Sequence, residues 1–228
     1  MTDAIVHSPS PVTLIGAGSV PKTVIDLAVE LAPRVVCADG GANTALELGL
    51  DPVAVIGDFD SLSEQARNTI PENRLHPIAE QDSTDFDKCL RHIEAPLVLG
   101  AGFDGSRIDH QMAAFNTLVR RPDRRCILLG PELCIFAAPP ELRLDVAIGT
   151  LLSLFPMAPV AGRSAGLRWP IEGLDFAPDG RVGTSNEISG PLHLWFERPG
   201  MLVMLPLSGL PHVARAVMSA PRWSDCTG

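Results

Sequence analysis

A chain of 228 residues, 46% of them hydrophobic, is long enough for one large or two modest domains with a core that needs no disulfide or metal staples. Its formal net charge of −9 excludes a general binder of nucleic acid or anionic membranes, since both need a basic surface, but leaves room for a local basic phosphate site. The five cysteines, Cys37, Cys89, Cys126, Cys134 and Cys226, form no C-x-x-C pair and sit mostly in apolar runs, so they read as core residues in a reducing compartment.

MTDAIVHSPSP (1–11) has no basic stretch followed by an apolar one, so no signal peptide is expected. VTLIGAG (12–18) is a short apolar strand ending in glycines. VPKTVIDLAVELA (20–32) is helical, with Val24, Leu27, Ala28 and Leu31 on one face. RVVCADGG (34–41) is a second strand and ANTALELG (42–49) a short helix stopped by Gly49. AVIGDFD (54–60) is a third strand, followed by helices over 63–70 and 83–94. PLVLGAG (96–102), DHQMAAFNTLVRR (109–121) and RCILLG (125–130) repeat the unit. Apolar strands alternating with helices imply an α/β domain whose mostly parallel sheet is covered on both faces.

From AAPPE (137–141), a linker-like stretch, the texture changes. Short strands punctuated by Gly and Pro follow: LLSLF, GLRWPI, RVGTSNEI, PLHLWFE and MLVMLPL, with no convincing helix. This predicts an all-β domain. The uncharged runs 146–162 and 199–214 are broken by Pro156, Pro159, Pro206 and Pro211, so both read as buried strands with turns rather than membrane spans. A soluble cytoplasmic protein is expected.

Chemistry-bearing residues gather where the parallel strands end, which is where open α/β sheets bind ligands. Asp39-Gly-Gly-Ala-Asn43 follows the second strand, and Gly57-Asp58-Phe59-Asp60-Ser61 the third. Asp82 to Lys88 straddles a helix start, and Gly102 to His110 precedes another helix. GAGSVP (16–21) begins like a dinucleotide fingerprint, but Pro21 stands where the third glycine belongs, so no dinucleotide site is expected. Taken singly, Asp58 and Asp60 are also readable as a solvated turn, and Asp82, Thr84 and Asp85 as a helix cap. Together, three acid-bearing loops converge on one sheet edge, and Lys88 and Arg107 do not neutralise them all. A hard divalent cation does, and oxygen-only ligands beside phosphate favour magnesium. The glycines, Thr84, Lys88 and Arg107 supply the donors a polyphosphate needs.

CADGGAN (37–43), VIGDFDSL (55–62), DSTDFDK (82–88) and SRIDH (106–110), with GLRWPIEG (166–173) and TSNE (184–187), stand in the order and spacing of the thiamine pyrophosphokinase family, which the chain resembles from about residue 12 to about residue 207. The resemblance implies an α/β catalytic domain over residues 1–138, binding ATP and magnesium, and a thiamine-binding β-sandwich over 139–228. It implies a homodimer with active sites at the subunit interface. The reaction moves the pyrophosphoryl group of ATP to the thiamine hydroxyl, giving thiamine diphosphate and AMP. By motif match, Asp58, Asp60, Asp82 and Asp85 are the magnesium and catalytic acids, with Lys88 beside them. Asp39, Asn43, Thr84, Arg107, Asp109 and His110 form the ATP environment, and Trp169, Ser185 and Asn186 the thiamine side. Two departures stand out: Ser106 where the family usually has a second glycine, and Ala114 where it commonly has Asn. A carboxylate, Asp58 or Asp85, accepts the hydroxyl proton. A magnesium-dependent nucleotide or phosphate hydrolase and a non-catalytic thiamine sensor are the alternative readings.

Overall fold

The computed structural model describes residues 4–104 and 107–226. It divides into two compact units, one of the residues up to Thr117 with Leu128–Pro131, the other of Leu118–Ile127 with the residues from Glu132 onward.

The first unit begins with β1 (Val6–His7), β2 (Val12–Ile15), α1 (Lys22–Leu31) and β3 (Arg34–Ala38). It continues through α2 (Gly41–Glu47), β4 (Ala54–Gly57), α3 (Glu64–Thr69) and β5 (Leu75–Pro77). α4 (Asp85–His92), β6 (Ile93–Glu94), β7 (Val98–Ala101), α5 (Ile108–Arg120) and β8 (Cys126–Leu129) follow, the last two at the division between the units. Every residue of β2, β4 and β7 is buried, as a strand covered on both faces requires. The pairs β2–β7, β3–β4, β4–β5 and β1–β6 are all parallel. Ile15, Ile25, Cys37, Ala45, Val55 and Ala66 meet in one core between strands and helices.

Local sequence sets the helix ends. Ser63 caps α3 by accepting from the Ala66 N–H at 3.1 Å, with Glu64 in the first turn. Thr84 caps α4 by accepting from the Asp87 N–H at 3.3 Å. Asp85 and Asp87 sit in the first turn of α4 and Arg91 and His92 in its last, each sign at the end the helix dipole favours.

The second unit is built from β9 (Leu133–Ala137), β10 (Glu141–Leu144), β11 (Leu151–Pro156), β12 (Val160–Leu167), β13 (Asp175–Phe176), β14 (Gly183–Phe196), β15 (Met201–Pro206) and α6 (Leu210–Ser219). All of its strand pairs are antiparallel. Two sequence expectations change here. RVGTSNEI and PLHLWFE, expected as separate strands, form the single 14-residue strand β14. Gly190-Pro191 passes through because Gly166, at φ +79, sits in an irregularity of β12; a Cβ there would lie 2.3 Å from the Pro191 carbonyl oxygen. The expectation that no helix follows residue 141, and that 199–214 is strand and turn throughout, fails at α6. Pro211 stands in its first turn, where a missing N–H costs nothing, and Leu210, Val213, Ala214 and Val217 form a buried stripe at helical spacing. Among the described residues no helix is long and apolar enough to cross a membrane.

Candidate active site

The C-terminal ends of β2, β3, β4 and β7 open into one cleft of about 510 Å³ in the first unit. Asp39, Asp58, Thr84, Asp85 and Lys88 line it. Arg107, His110 and Ala114 line its α5 side.

Asp39 ends β3 in a left-handed conformation, φ 42, which brings its carboxylate into contact with the loop after β4. Its Oδ2 accepts from the Ser61 N–H at 3.2 Å, while Oδ1 is buried with no hydrogen-bond partner. Close approach of the two strand ends depends on Gly57: a Cβ at that position would come 2.7 Å from the Asp39 Cβ. Beyond it, Phe59 is also left-handed, φ 65, an uncommon state for an aromatic residue. Arg67 holds that kink, donating to the Phe59 carbonyl at 3.2 Å with its guanidinium 5.7 Å over the ring. As a result, one carboxylate oxygen each of Asp39, Asp58 and Asp60 lies within 4.8 Å of the others. Ser61 Oγ donates to Asp60 at 2.8 Å, and Gln81 Nε2 to Asp58 at 3.2 Å.

Against this triad stands Lys88, 2% exposed, with its ammonium 3.0 Å from Asp85 and 3.6 Å from Asp58. The electrostatics divide accordingly. Burial pushes the Asp39 carboxyl above the usual carboxylate range, and the Asp60 carboxyl and the charge on Asp85 add to the push against the lowering Ser61 N–H. For Asp58 the cost of burial is outweighed by the Asp60 N–H, the Gln81 amide and Lys88, so its carboxyl lies below the usual range. Burial also acts on Lys88, but the hydrogen bond and charge of Asp85, with Asp58, hold its ammonium above the ordinary lysine value. Burial raises Asp104, a further cleft carboxyl.

The remaining expected residues are placed as follows. Asp82 is exposed, and stands outside both the cleft lining and the triad. The carboxylate grouped with Asp58 and Asp60 is that of Asp39, expected in the ATP environment. Asn43 does not face the cleft; its amide donates to the Ser61 carbonyl at 2.9 Å and accepts from the Ser63 N–H at 3.0 Å, stitching α2 to the acid loop. Arg107 binds Asp109 through Nη2 at 2.6 Å, which holds Asp109 below the usual carboxylate range. Ser106 lies outside the described residues.

In the second unit, Asn186, 7% exposed on β14, grips the backbone of Trp169 from both sides. Its Oδ1 accepts from the Trp169 N–H at 3.2 Å and its Nδ2 donates to the Trp169 carbonyl at 2.7 Å. Trp169 is left 53% exposed, with the Arg168 guanidinium 4.9 Å over its ring. Ser185 is left-handed, φ 60, and its N–H donates to Ser153 Oγ at 3.0 Å.

Gly16 to Ser19 and Gln81 line the cleft but were not singled out from sequence, whereas Phe103 and Asp104 fall in the stretch Gly102 to His110 that was. The glycines had been weighed only as a dinucleotide motif. Their backbone runs beside the loop after β7, with the Gly18 N–H donating to the Gly102 carbonyl at 2.9 Å.

Residues 25–128 match the family profile described as thiamin pyrophosphokinase, catalytic domain. The chain is 27% identical over 184 residues to thiamine pyrophosphokinase 1 of Arabidopsis thaliana, covering 66% of this chain and 69% of that one. It is 29% identical over 185 residues to thiamine pyrophosphokinase 1 of Oryza sativa subsp. japonica, covering 66% and 70%. Among solved structures, its fold is similar to thiamin pyrophosphokinase from Geobacillus thermodenitrificans, TM-score 0.71 at 24% identity over 86% of this chain and 96% of that one. The corresponding figures for thiamin pyrophosphokinase from Candida albicans are 0.73, 17%, 90% and 97%.

Proposed function

We propose that the chain, similar to the thiamine pyrophosphokinases over most of its length, is a member of that family and transfers the pyrophosphoryl group of ATP to the hydroxyethyl oxygen of thiamine, giving thiamine diphosphate and AMP. The observation that carries this reading is the buried, unpartnered Oδ1 of Asp39 beside Asp58 and Asp60, with buried Lys88 across from them.

An all-oxygen donor set with one orphaned buried oxygen fits a hard divalent cation, and beside a polyphosphate that is magnesium. Asp39, Asp58 and Asp60 would hold it, and when bound it supplies charge neutralisation on the phosphate oxygens. The rest falls to the protein. Lys88 and the N-terminus of α4 stabilise charge developing on the β-phosphate, and Arg107 and His110 bind the polyphosphate and nucleotide. The thiamine oxygen forms a bond to the β-phosphorus in line as the bond to the α–β bridging oxygen breaks, and AMP leaves with that oxygen. Asp58 is held low by its donors and is a poor base. Asp85, at the cleft surface, takes the hydroxyl proton.

Thiamine binds in the antiparallel β-sandwich of the second unit, against the face of Trp169 and beside Ser185 and Asn186, while the first unit forms the catalytic α/β domain. An aromatic face suits a thiazolium cation. The enzyme acts in the cytoplasm as a homodimer with active sites at the subunit interface. Purified protein incubated with ATP, magnesium and thiamine should yield AMP and thiamine diphosphate in equal amounts. Phosphate or pyrophosphate release that ignores thiamine would instead assign a hydrolase, and binding of thiamine without turnover a sensor.

A further inference from the structure

The loop that carries Gln81, Ser83, Thr84 and Asp85 into the cleft has little backbone support. Among the described residues, the backbone hydrogen bonds outside helices and strands include none from residues 79–83. Side chains hold this stretch instead, and most of them converge on one guanidinium. Arg91, in the last turn of α4, pairs with the Glu80 carboxylate through Nη2. The same nitrogen donates to Ser83 Oγ at 3.1 Å, and Ser83 Oγ in turn donates to Glu80. Arg91 Nε lies 3.3 Å from Asp87 Oδ2, a carboxylate only 3% exposed, an ion pair held by charge and not by a hydrogen bond. Asp87 is also the residue whose N–H the Thr84 hydroxyl caps. At the far side of the loop, Gln81 reaches Asp58. Arg91 does not line the cleft.

We infer that Arg91 is a positioning residue for the phosphoryl-transfer site: its guanidinium ties Glu80 and Ser83 to Asp87, and so fixes the loop that presents Gln81 to Asp58 and Thr84 and Asp85 to the polyphosphate. The inference rests on the reading of this cleft as the ATP and magnesium site. A planar fork suits the loop side, where Nη1 and Nη2 meet the two Glu80 carboxylate oxygens and Nη2 also meets Ser83, while the Asp87 side is held by charge; a lysine ammonium serves all of them only as a point charge. Loss of the fork releases the loop on the polyphosphate side, so the two substrates should respond differently.

The test compares Arg91→Ala, Arg91→Lys, Glu80→Gln and Ser83→Ala with the wild-type enzyme. Arg91→Ala should raise the KM for ATP at saturating magnesium by about tenfold, with the thiamine KM changed by less than about twofold. Arg91→Lys should recover part of that loss. Amide exchange at Asp87 and Lys88, whose N–H groups donate to the Thr84 hydroxyl and carbonyl, should quicken in Arg91→Ala while β3 and β4 stay protected. Glu80→Gln and Ser83→Ala, which alter only the loop arm of the network, should shift the ATP KM the same way to a smaller extent, and they carry the test if Arg91→Ala does not fold. Unchanged ATP KM in the folded variants, equal shifts for both substrates, or a fall in kcat alone would overturn the inference. An inactive wild-type enzyme would overturn the functional reading instead, and the exchange experiment would still decide whether Arg91 fixes the loop.

Discussion

Gly57 and Asp39 stand back to back, so close that a Cβ on Gly57 would lie 2.7 Å from the Asp39 Cβ and 3.1 Å from its Cα. The neighbour is rooted in backbone and has nowhere to swing. Gly57→Ala should therefore push the end of β3 away from β4 and open the acid triad. We expect about 1–3 kcal/mol of destabilisation in denaturant unfolding, as for other overpacked sites. We also expect at least a tenfold loss of activity, because about an ångström of misplacement at a reacting centre costs up to about 10² in rate. A variant with wild-type stability and turnover would show that the strand ends separate freely.

Asp39→Asn should stabilise the metal-free protein while removing its response to magnesium. The folded-state pKa of Asp39 is raised, chiefly by burial. Between the unfolded value and that raised value the folded protein binds the extra proton, so stability falls as pH rises through the window and levels off above it. Asparagine has no such titration, relieves repulsion from Asp60 and Asp85, and tolerates the left-handed φ of 42. At neutral pH the variant should be more stable by about 1 kcal/mol, and the advantage should vanish below the ordinary carboxylate range. Magnesium should raise the Tm of the wild type and leave that of the variant nearly unmoved. Thermal melts across pH, with and without magnesium, check both halves.

Lys88→Met keeps the length and much of the volume of a side chain that is 2% exposed, so the fold should persist by circular dichroism. Turnover should not. Removing the cation opposite Asp58 and Asp85 should lower kcat by about 10² to 10³, the cost typical of losing one electrostatic stabiliser. The Asp58 carboxyl, now held down by its donors without Lys88, should titrate higher, which carboxylate chemical shifts report directly.

Asn186→Ala should act on the other substrate. It leaves the Trp169 N–H and carbonyl without their side-chain partners and frees the indole from its fixed approach. We expect about 1–3 kcal/mol of lost stability and a rise in the thiamine KM, with the ATP KM unchanged. Equal effects on both substrates would argue against a thiamine role for this corner of β14.

The acid loops were legible in sequence because strand ends and helix starts are local signals. Apolar runs stop at Asp39 and Asp58, and Thr84 with Asp85 announces the start of α4. What failed was whatever depends on a distant partner. The DSTD motif does not reveal that Gln81 and Ser83 line the cleft while Asp82, between them, is exposed outside its lining. Arg91 reads as one more charge on a helix until Glu80 and Ser83 fold back onto it. β14 looked like two strands because Gly190-Pro191 is a turn signal, and the residue that overrides it, Gly166, lies on another strand. GAGS was set aside for lacking the third glycine of a dinucleotide motif, although its glycines still line the cleft.

The long strand β14 has a consequence for how the second unit folds. Its first part pairs with β11, from Gly183 to Glu187, and its second part with β12 and β10, from Ile188 to Phe196. Neither set of partners can be completed without the same strand, and the contacts it makes join segments far apart along the chain. Such a unit should assemble late and all at once, and come apart the same way, with no half-formed layer accumulating. Asn186 stands beside the handover, one residue from the end of the β11 register. A small molecule gripped there would thus be felt by the cooperative unit as a whole, so that occupancy slows the unfolding of strands it never touches.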